Sequence, residues 1–289
     1  MTDTVISILF SGAAFATVLY LISVGLSITM GLLGIANLAH GAFAMAGGYI
    51  AFALVNRLGV NFFAALLVAA VAVAAISVVL ERLIYRPVYD AGELEQVLLS
   101  MGLIFASIAI AHFAFGPLPL AVNVPASLQG QVDIGWRSFP AYRLFLIAFG
   151  LCVFVALWFA IERTALGARI RAAVDNRAMA EGVGINTRVL FTVVFALGSA
   201  LAAVGGALGS EVVALTPFYP LEYLVYFLIV VSIGGLGSVS GPALAALLLG
   251  FGDSACKILI PEFGAFFIYV AIFLVLLVRP NGLFGRAQS

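Results

Sequence analysis

Eight long stretches of this chain carry almost no charge, and that feature narrows its possible folds more than any other. They are residues 5–28, 30–55, 62–80, 96–115, 144–161, 189–210, 223–252 and 263–278, rich in alanine, leucine, valine and phenylalanine. A helix crossing the hydrocarbon core of a bilayer needs about 20 apolar residues. Lipid offers no partner to an open backbone, so such segments cross as helices or as closed barrels. Barrel strands would alternate in stretches of about ten residues, and these runs do not. The expected fold is all-α: a polytopic transmembrane helical bundle of about eight hydrophobic segments, forming a single domain over residues 1–289. Charged residues make up 9% of the chain, against about a quarter in soluble domains, too few to cover a water-facing surface. A formal net charge of zero removes the case for nucleic-acid binding. The start, Met1-Thr2-Asp3-Thr4, has no basic region and no small-residue cleavage site, so the first run is read as a retained span.

Two runs contain residues that interrupt helices. The second holds Gly31, Gly34, Asn37, His40, Gly41, Gly47 and Gly48. The seventh holds Gly234-Gly235-Leu236-Gly237-Ser238-Val239-Ser240-Gly241-Pro242. Glycine clusters weaken helices, and the freed backbone must then be buried in protein or line a wet cavity. Gly31-Leu32-Leu33-Gly34 and Gly234-Gly235-Leu236-Gly237 look like corresponding positions in two halves, although Gly-rich apolar stretches also resemble each other by chance. Paired interrupted or re-entrant segments point to a transport pathway. Asn37, His40, Gly41, Ser232, Gly234, Gly235, Gly237, Ser238, Ser240 and Gly241 are the pathway and broken-helix candidates. Polar groups at membrane depth are functional candidates. The plainer expectation for two of them is repair, with Asn37 capping a half-helix that begins near Leu38 and His40 bonding freed backbone. Gly237 and Gly241 are expected to reject larger side chains, and Gly250 to tolerate one better.

The arginines orient the chain. Arg163, Arg169, Arg171, Arg177 and Arg188 cluster after the fifth run. At mid-bilayter depth five arginines would cost roughly 12–17 kcal/mol, at about 2.5–3.5 each, so this segment lies in water. Residues 81–95 and 279–289 fall on the same side by counting spans. With Arg163, these three segments hold nine of the thirteen Lys and Arg residues, which marks that side as cytoplasmic. Residues 116–143 then face outward, with Pro117, Pro119, Pro125 and Pro140 in the loop and Trp136 and Tyr142 fitting an interfacial belt. The side of the N-terminus stays open, because it depends on whether 30–55 crosses fully or folds back.

Within 164–189, Leu166, Ile170, Ala173 and Val174 recur at helical spacing, with Arg169, Arg171, Asp175 and Arg177 between them. Gly182 and Gly184 follow where a helix would stop. A short amphipathic helix is predicted. Amphipathicity alone fits a solvated loop that supplies charge as well as it fits a docking element.

No catalytic chemistry is legible. There is no G-x-x-x-x-G-K-[ST] motif, and Lys257 is the sole lysine, so the chain cannot handle a nucleotide by the P-loop route. No nucleophile stands with a base, and His40 and His112 lack metal-ligand spacing. No enzyme activity, cofactor or metal is expected. Cys152 and Cys256 read as small buried hydrophobes. Asp253 and Lys257, four apart, read as a structural pair on one helix face. His112 reads as interfacial, and Glu211 and Glu222 bracket a solvated turn.

The motifs taken together resemble the permeases of branched-chain amino acid ABC importers, the LivH-type subunit. The matching blocks are Gly34-Ile35-Ala36-Asn37-Leu38-Ala39-His40-Gly41-Ala42-Phe43, Glu81-Arg82-Leu83-Ile84-Tyr85-Arg86-Pro87, the stretch from Thr164-Ala165-Leu166-Gly167-Ala168-Arg169 to Gly182-Val183-Gly184-Ile185-Asn186, the 234–242 block, and Arg279-Pro280-Asn281-Gly282-Leu283-Phe284-Gly285. They span nearly the whole chain in family order. The resemblance implies a multi-pass subunit of the bacterial inner membrane. Its implied partners are a sister permease subunit, two cytoplasmic ATPase subunits and a periplasmic substrate-binding protein. It makes residues 164–186 the ATPase-coupling element, with Leu166, Gly167, Ile170, Arg171, Asp175, Asn176, Gly182 and Gly184 as candidates, and Leu166 and Ile170 expected to fill a groove in the ATPase. Family members also carry urea, short amides and other small carboxylates. The rival class is a self-sufficient secondary transporter or channel, which would need intramembrane carboxylates; only Asp253 qualifies by position.

Overall fold

The computed structural model describes residues 2–34, 37–89, 91–133, 138–264 and 266–278. Twelve α-helices are described: α1 Thr2–Leu33, α2 His40–Phe52, α3 Phe62–Leu80, α4 Glu93–Phe115, α5 Ala141–Arg163, α6 Ala165–Asp175, α7 Arg177–Gly182, α8 Thr187–Gly209, α9 Tyr219–Glu222, α10 Leu224–Gly234, α11 Ser240–Leu259 and α12 Phe267–Val278. A small antiparallel hairpin, β1 Gln131–Asp133 with β2 Ser138–Pro140, is the sheet among the described residues. Among the described residues six helices are long and apolar enough to cross a membrane, rather than eight. The difference lies in the run at 30–55, which is split, and in the last run, whose helix has only twelve residues; the run at 223–252 is also split, but its second half, α11, remains long enough to cross. The tail 279–289, the interfacial residue Trp136, and Ile35 and Ala36 of the first motif lie outside the described residues.

α1 is the central element, packed against α5, α8, α10 and α11. Small residues make this possible. Gly25 of α1 and Gly198 of α8 meet backbone to backbone, as do Gly12 of α1 and Gly250 of α11. In lipid the attraction between helices comes from close packing, so small residues belong at such crossings. The expectation that Gly250 tolerates a larger residue is therefore reversed, because a Cβ there would overlap the Gly12 carbonyl. The outward faces of α3, α4 and α5 are apolar too, with Leu67, Val71, Phe105, Ile110, Leu151 and Phe159 exposed. Cys152 is exposed and Cys256 partly exposed, both free thiols. The expected burial of the cysteines fails because an apolar run in a membrane protein has no hydrophilic side to mark its exterior.

The two ends of the bundle are well separated. At one end, Phe10 of α1 packs on Phe139 with ring centroids 4.8 Å apart, and Arg143 donates to Ser11 Oγ at 3.0 Å. Leu120 and Leu215 form an antiparallel bridge at the same end. At the other end, Tyr89 packs on Phe191, and the Arg177 guanidinium lies 5.2 Å from the Phe191 ring. Segments 81–89 and 164–188 thus share one face, and 116–133 shares the opposite face with the start of α1. The N-terminal side left open by the sequence is thereby tied to the 116–143 face.

Candidate functional site

The first break follows Leu33. Gly34 has φ +64°, and the chain then folds back along α1. His40, the first residue of α2, donates from Nε2 to the Ile22 carbonyl at 3.1 Å. Ile22 stands eleven residues before Leu33, or roughly 16 Å of helix at 1.5 Å per residue. α2 therefore starts beside the middle of α1. It ends at the 116–143 face, where Tyr49 stacks on Phe115 at 4.4 Å and Asn56 bonds the backbone of Ala121 and Asn123. The run 30–55 folds back and also completes a crossing. Asn37 is not a helix cap. Its Oδ1 accepts from the Tyr85 hydroxyl at 2.8 Å, and α2 begins without any side-chain cap. The capping expectation fails because a buried tyrosine from 48 residues away reached the amide oxygen. Gly41 lies against the Pro220 backbone before α9 turns into α10.

The second break joins α10 to α11. Gly235 and Gly237 have φ +82° and +73°, values that L side chains rarely adopt. The turn is clasped by α1. Gly237 N–H donates to the Ser27 carbonyl at 2.9 Å, and Ser27 Oγ donates to the carbonyls of Gly235 at 3.0 Å and Ser238 at 3.2 Å. A Cβ on Gly31 would overlap Gly237, and one on Gly241 would overlap the Gly234 carbonyl. Ser238 Oγ accepts from the Gly241 N–H at 3.0 Å, while Ser240 and Ser232 are exposed. The freed backbone that lipid could not satisfy is satisfied by Ser27, a residue that sequence reasoning missed. The two glycine blocks that looked like counterparts meet through Gly31 and Gly237.

The 164–188 corner is built from two clamps. At the α5–α6 corner, a Cβ on Gly167 would overlap the Ile161 carbonyl, Arg171 donates to that carbonyl at 2.8 Å, and Ile170 is buried. Leu166 is half-buried, and Asp175 closes α6 at an exposed position. At the α7–α8 corner, Asn176 accepts from Met179 N–H at 3.0 Å to cap α7, which ends at Gly182; Gly184 follows at φ +86°. Arg177 pairs with Glu181 at 3.3 Å, and Thr187 also donates to that carboxylate. These two donors, Thr187 first, hold the Glu181 carboxyl below the usual carboxylate range. Ile170 faces the protein's own core, so the expectation that it fills a groove in another subunit is corrected. Its apolar stripe was real, but a stripe does not say what it packs against. The apolar side chains that point away are Val174, Met179 and Val183.

The sequence of this chain matches the family model described as branched-chain amino acid transport system / permease component over residues 8–276. The chain belongs to this family. The permease is similar to the high-affinity branched-chain amino acid transport system permease protein LivH of Escherichia coli K12, 27% identical with 97% of this chain and 95% of that one covered. It is equally similar to BraD of Pseudomonas aeruginosa, at 27% identity and the same coverage. A probable LivH of Methanocaldococcus jannaschii is 22% identical over 94% of this chain and 90% of its own. No solved structure matches the chain.

A polar cluster that the sequence did not announce links the permease's corner to its first break. Glu81 is fully buried. Rather than opening a loop, it starts a π-helical turn, Glu81–Tyr85, that prolongs α3. Its carboxylate accepts from Tyr89 OH at 2.7 Å and Thr192 Oγ1 at 2.9 Å, and pairs with Arg86 at 3.3 Å. Tyr85, on the same turn, packs on Phe195 at 5.2 Å and holds Asn37. The available signal was Glu81-Arg82-Leu83-Ile84-Tyr85-Arg86 directly after an apolar run, which reads as a loop because charge normally ends a span.

Proposed function

We infer that the permease lines half of the translocation pathway of a binding-protein-dependent ABC importer for branched-chain amino acids. A sister permease lines the other half, two cytoplasmic ATPase subunits drive the cycle, and a periplasmic binding protein delivers the substrate. The chain itself performs no catalysis and needs no cofactor. The observation that carries this reading is the meeting of both breaks on one short stretch of α1: Ser27 and Gly31 clasp the 235–238 turn, and the first break opens after Leu33. Broken helices held at one crossing by a few hydrogen bonds supply the discrete rearrangement that alternating access requires. The substrate rests on the names of the relatives. We assign residues 81–89 and 164–188 to the cytoplasmic side of a bacterial inner membrane, a sidedness that their arginines support, with the N-terminus and 116–143 outside. The secondary-transporter alternative is disfavoured because the buried carboxylates have local cationic partners, Glu81 with Arg86 and Asp253 with Lys257.

The test is uptake into proteoliposomes holding the permease, the sister subunit and both ATPases, with the binding protein outside the lumen on its substrate-delivering face. L-leucine is expected to accumulate only with ATP and loaded binding protein. Accumulation driven by an ion gradient without ATPases would overturn the reading. ATP-driven uptake of urea or acetamide, with none of leucine, would keep the machine and change the cargo.

A further inference from the structure

A charged cavity lies on the 116–143 face between α1, α5, α10 and α11. Its volume is about 260 Å³, and its walls include Phe15, Arg143, Tyr223, Tyr226, Asp253 and Lys257. A single water occupies about 30 Å³ of liquid, so the space holds far more than one water and approaches the small end of ligand sites, about 300 Å³. Asp253 is 3% exposed; Lys257 pairs with its Oδ2 at 2.7 Å, while its Oδ1 is buried with no hydrogen-bond partner among the described residues. An unmatched oxygen on a buried carboxylate is costly and calls for a donor. Arg143 comes from α5, 110 positions earlier in the chain. It uses one nitrogen on Ser11 Oγ, and a guanidinium has five N–H donors, which leaves donors for an anion. Phe15 and Tyr226 pack edge to face at 5.9 Å and add apolar wall. Anionic, cationic and apolar groups thus line one small cavity.

We propose that this cavity is a binding site for a zwitterionic α-amino acid with an aliphatic side chain. The ammonium bonds Asp253 Oδ1, the carboxylate bonds Arg143, and the side chain lies against Phe15 and Tyr226. This deepens the transport reading and rests on it for the choice of side chain. It also separates the cargoes that the motifs left open, since urea and simple amides have no charges to match the pair.

The experiment uses the full-length permease in lipid nanodiscs and saturation-transfer NMR with L-leucine, 4-methylpentanoate and 3-methylbutylamine. Wild type is expected to bind leucine saturably and more tightly than either half-ligand. Asp253→Asn is expected to raise the Kd of leucine and of the amine roughly 10- to 150-fold, the range for losing one charge-assisted hydrogen bond, and to spare the carboxylate ligand. Arg143→Gln is expected to do the converse. No saturable leucine binding by wild type, leucine bound no better than the half-ligands, or unchanged Kd in both variants would overturn the site. If a variant fails to fold, the three-ligand comparison on wild type still decides. Charge-resolved binding without ATP-driven uptake in the full reconstitution keeps the site and removes the transport reading; uptake without such binding does the reverse.

Discussion

Glu81 has no exposed surface, and three side chains converge on its carboxylate. Deleting it leaves the Tyr89 hydroxyl without its acceptor in a largely buried site, a loss of about 1–3 kcal/mol, while the Thr192 hydroxyl keeps the Arg188 carbonyl at 3.1 Å. Arg86 is partly exposed and can turn to water, so its share of the loss is smaller. Glu81→Ala is therefore expected to lower the midpoint of thermal unfolding in detergent clearly more than Glu81→Gln, which retains an acceptor oxygen. Identical midpoints for wild type and both variants would show that the cluster contributes nothing. At this scale the sequence was a partial guide. It singled out Asn37 and His40 as polar groups at membrane depth, but their partners, Tyr85 and Ile22, sit 48 and 18 residues away and no local pattern points to them.

At the level of elements, the second break was legible because its cause is local. Glycine at 235 and 237 is a property of the residue type, and the positive φ values follow from it. The apolar stripe of α6 was equally legible, but its direction was not. Ile170 closes the α5–α6 corner from inside, whereas Met179 and Val183 are 70% and 78% exposed at the α7–α8 corner. Ile170→Ala is expected to destabilise the corner by about 2–5 kcal/mol, with docking lost only as a consequence. Met179→Ala and Val183→Ala should leave insertion and thermal stability unchanged. If the ATPase covers them, each truncation removes up to about 1.5–3 kcal/mol of apolar burial, or roughly 10- to 150-fold in association. The measurement is ATPase binding to permease in nanodiscs, alongside hydrolysis stimulated by loaded binding protein. Full binding and stimulation in the Met179, Val183 double variant would remove the α7 corner from the docking surface.

For the whole molecule, the arginine distribution and the packing together make a topological prediction. Single cysteines at Ser127, Asn176 and Thr4 are placed in a background lacking Cys152 and Cys256. In intact cells, with the outer membrane made permeable, an impermeant thiol reagent should label 127 and 4 and spare 176. Labelling at 176 without 127 would invert the protein; labelling at 127 without 4 would detach α1 from the 116–143 face. By itself the sequence determined that the chain is a polytopic helical bundle, where two of its apolar runs break, and which loops share a side, because apolar length, glycine content and arginine position act locally or on bulk partition; it did not determine the number of helices long enough to cross. Tertiary structure alone decided which face of each helix is interior, so Cys152 faces outward and Gly250 is locked against α1. Lipid is as apolar as a protein core, so hydrophobicity carries no signal of inside against outside. It also decided that Ser27 clasps the second break, that Glu81 meets Thr192, and that Arg143 shares a cavity with Asp253. Such meetings depend on close packing between helices distant in sequence, which no local run of residues encodes.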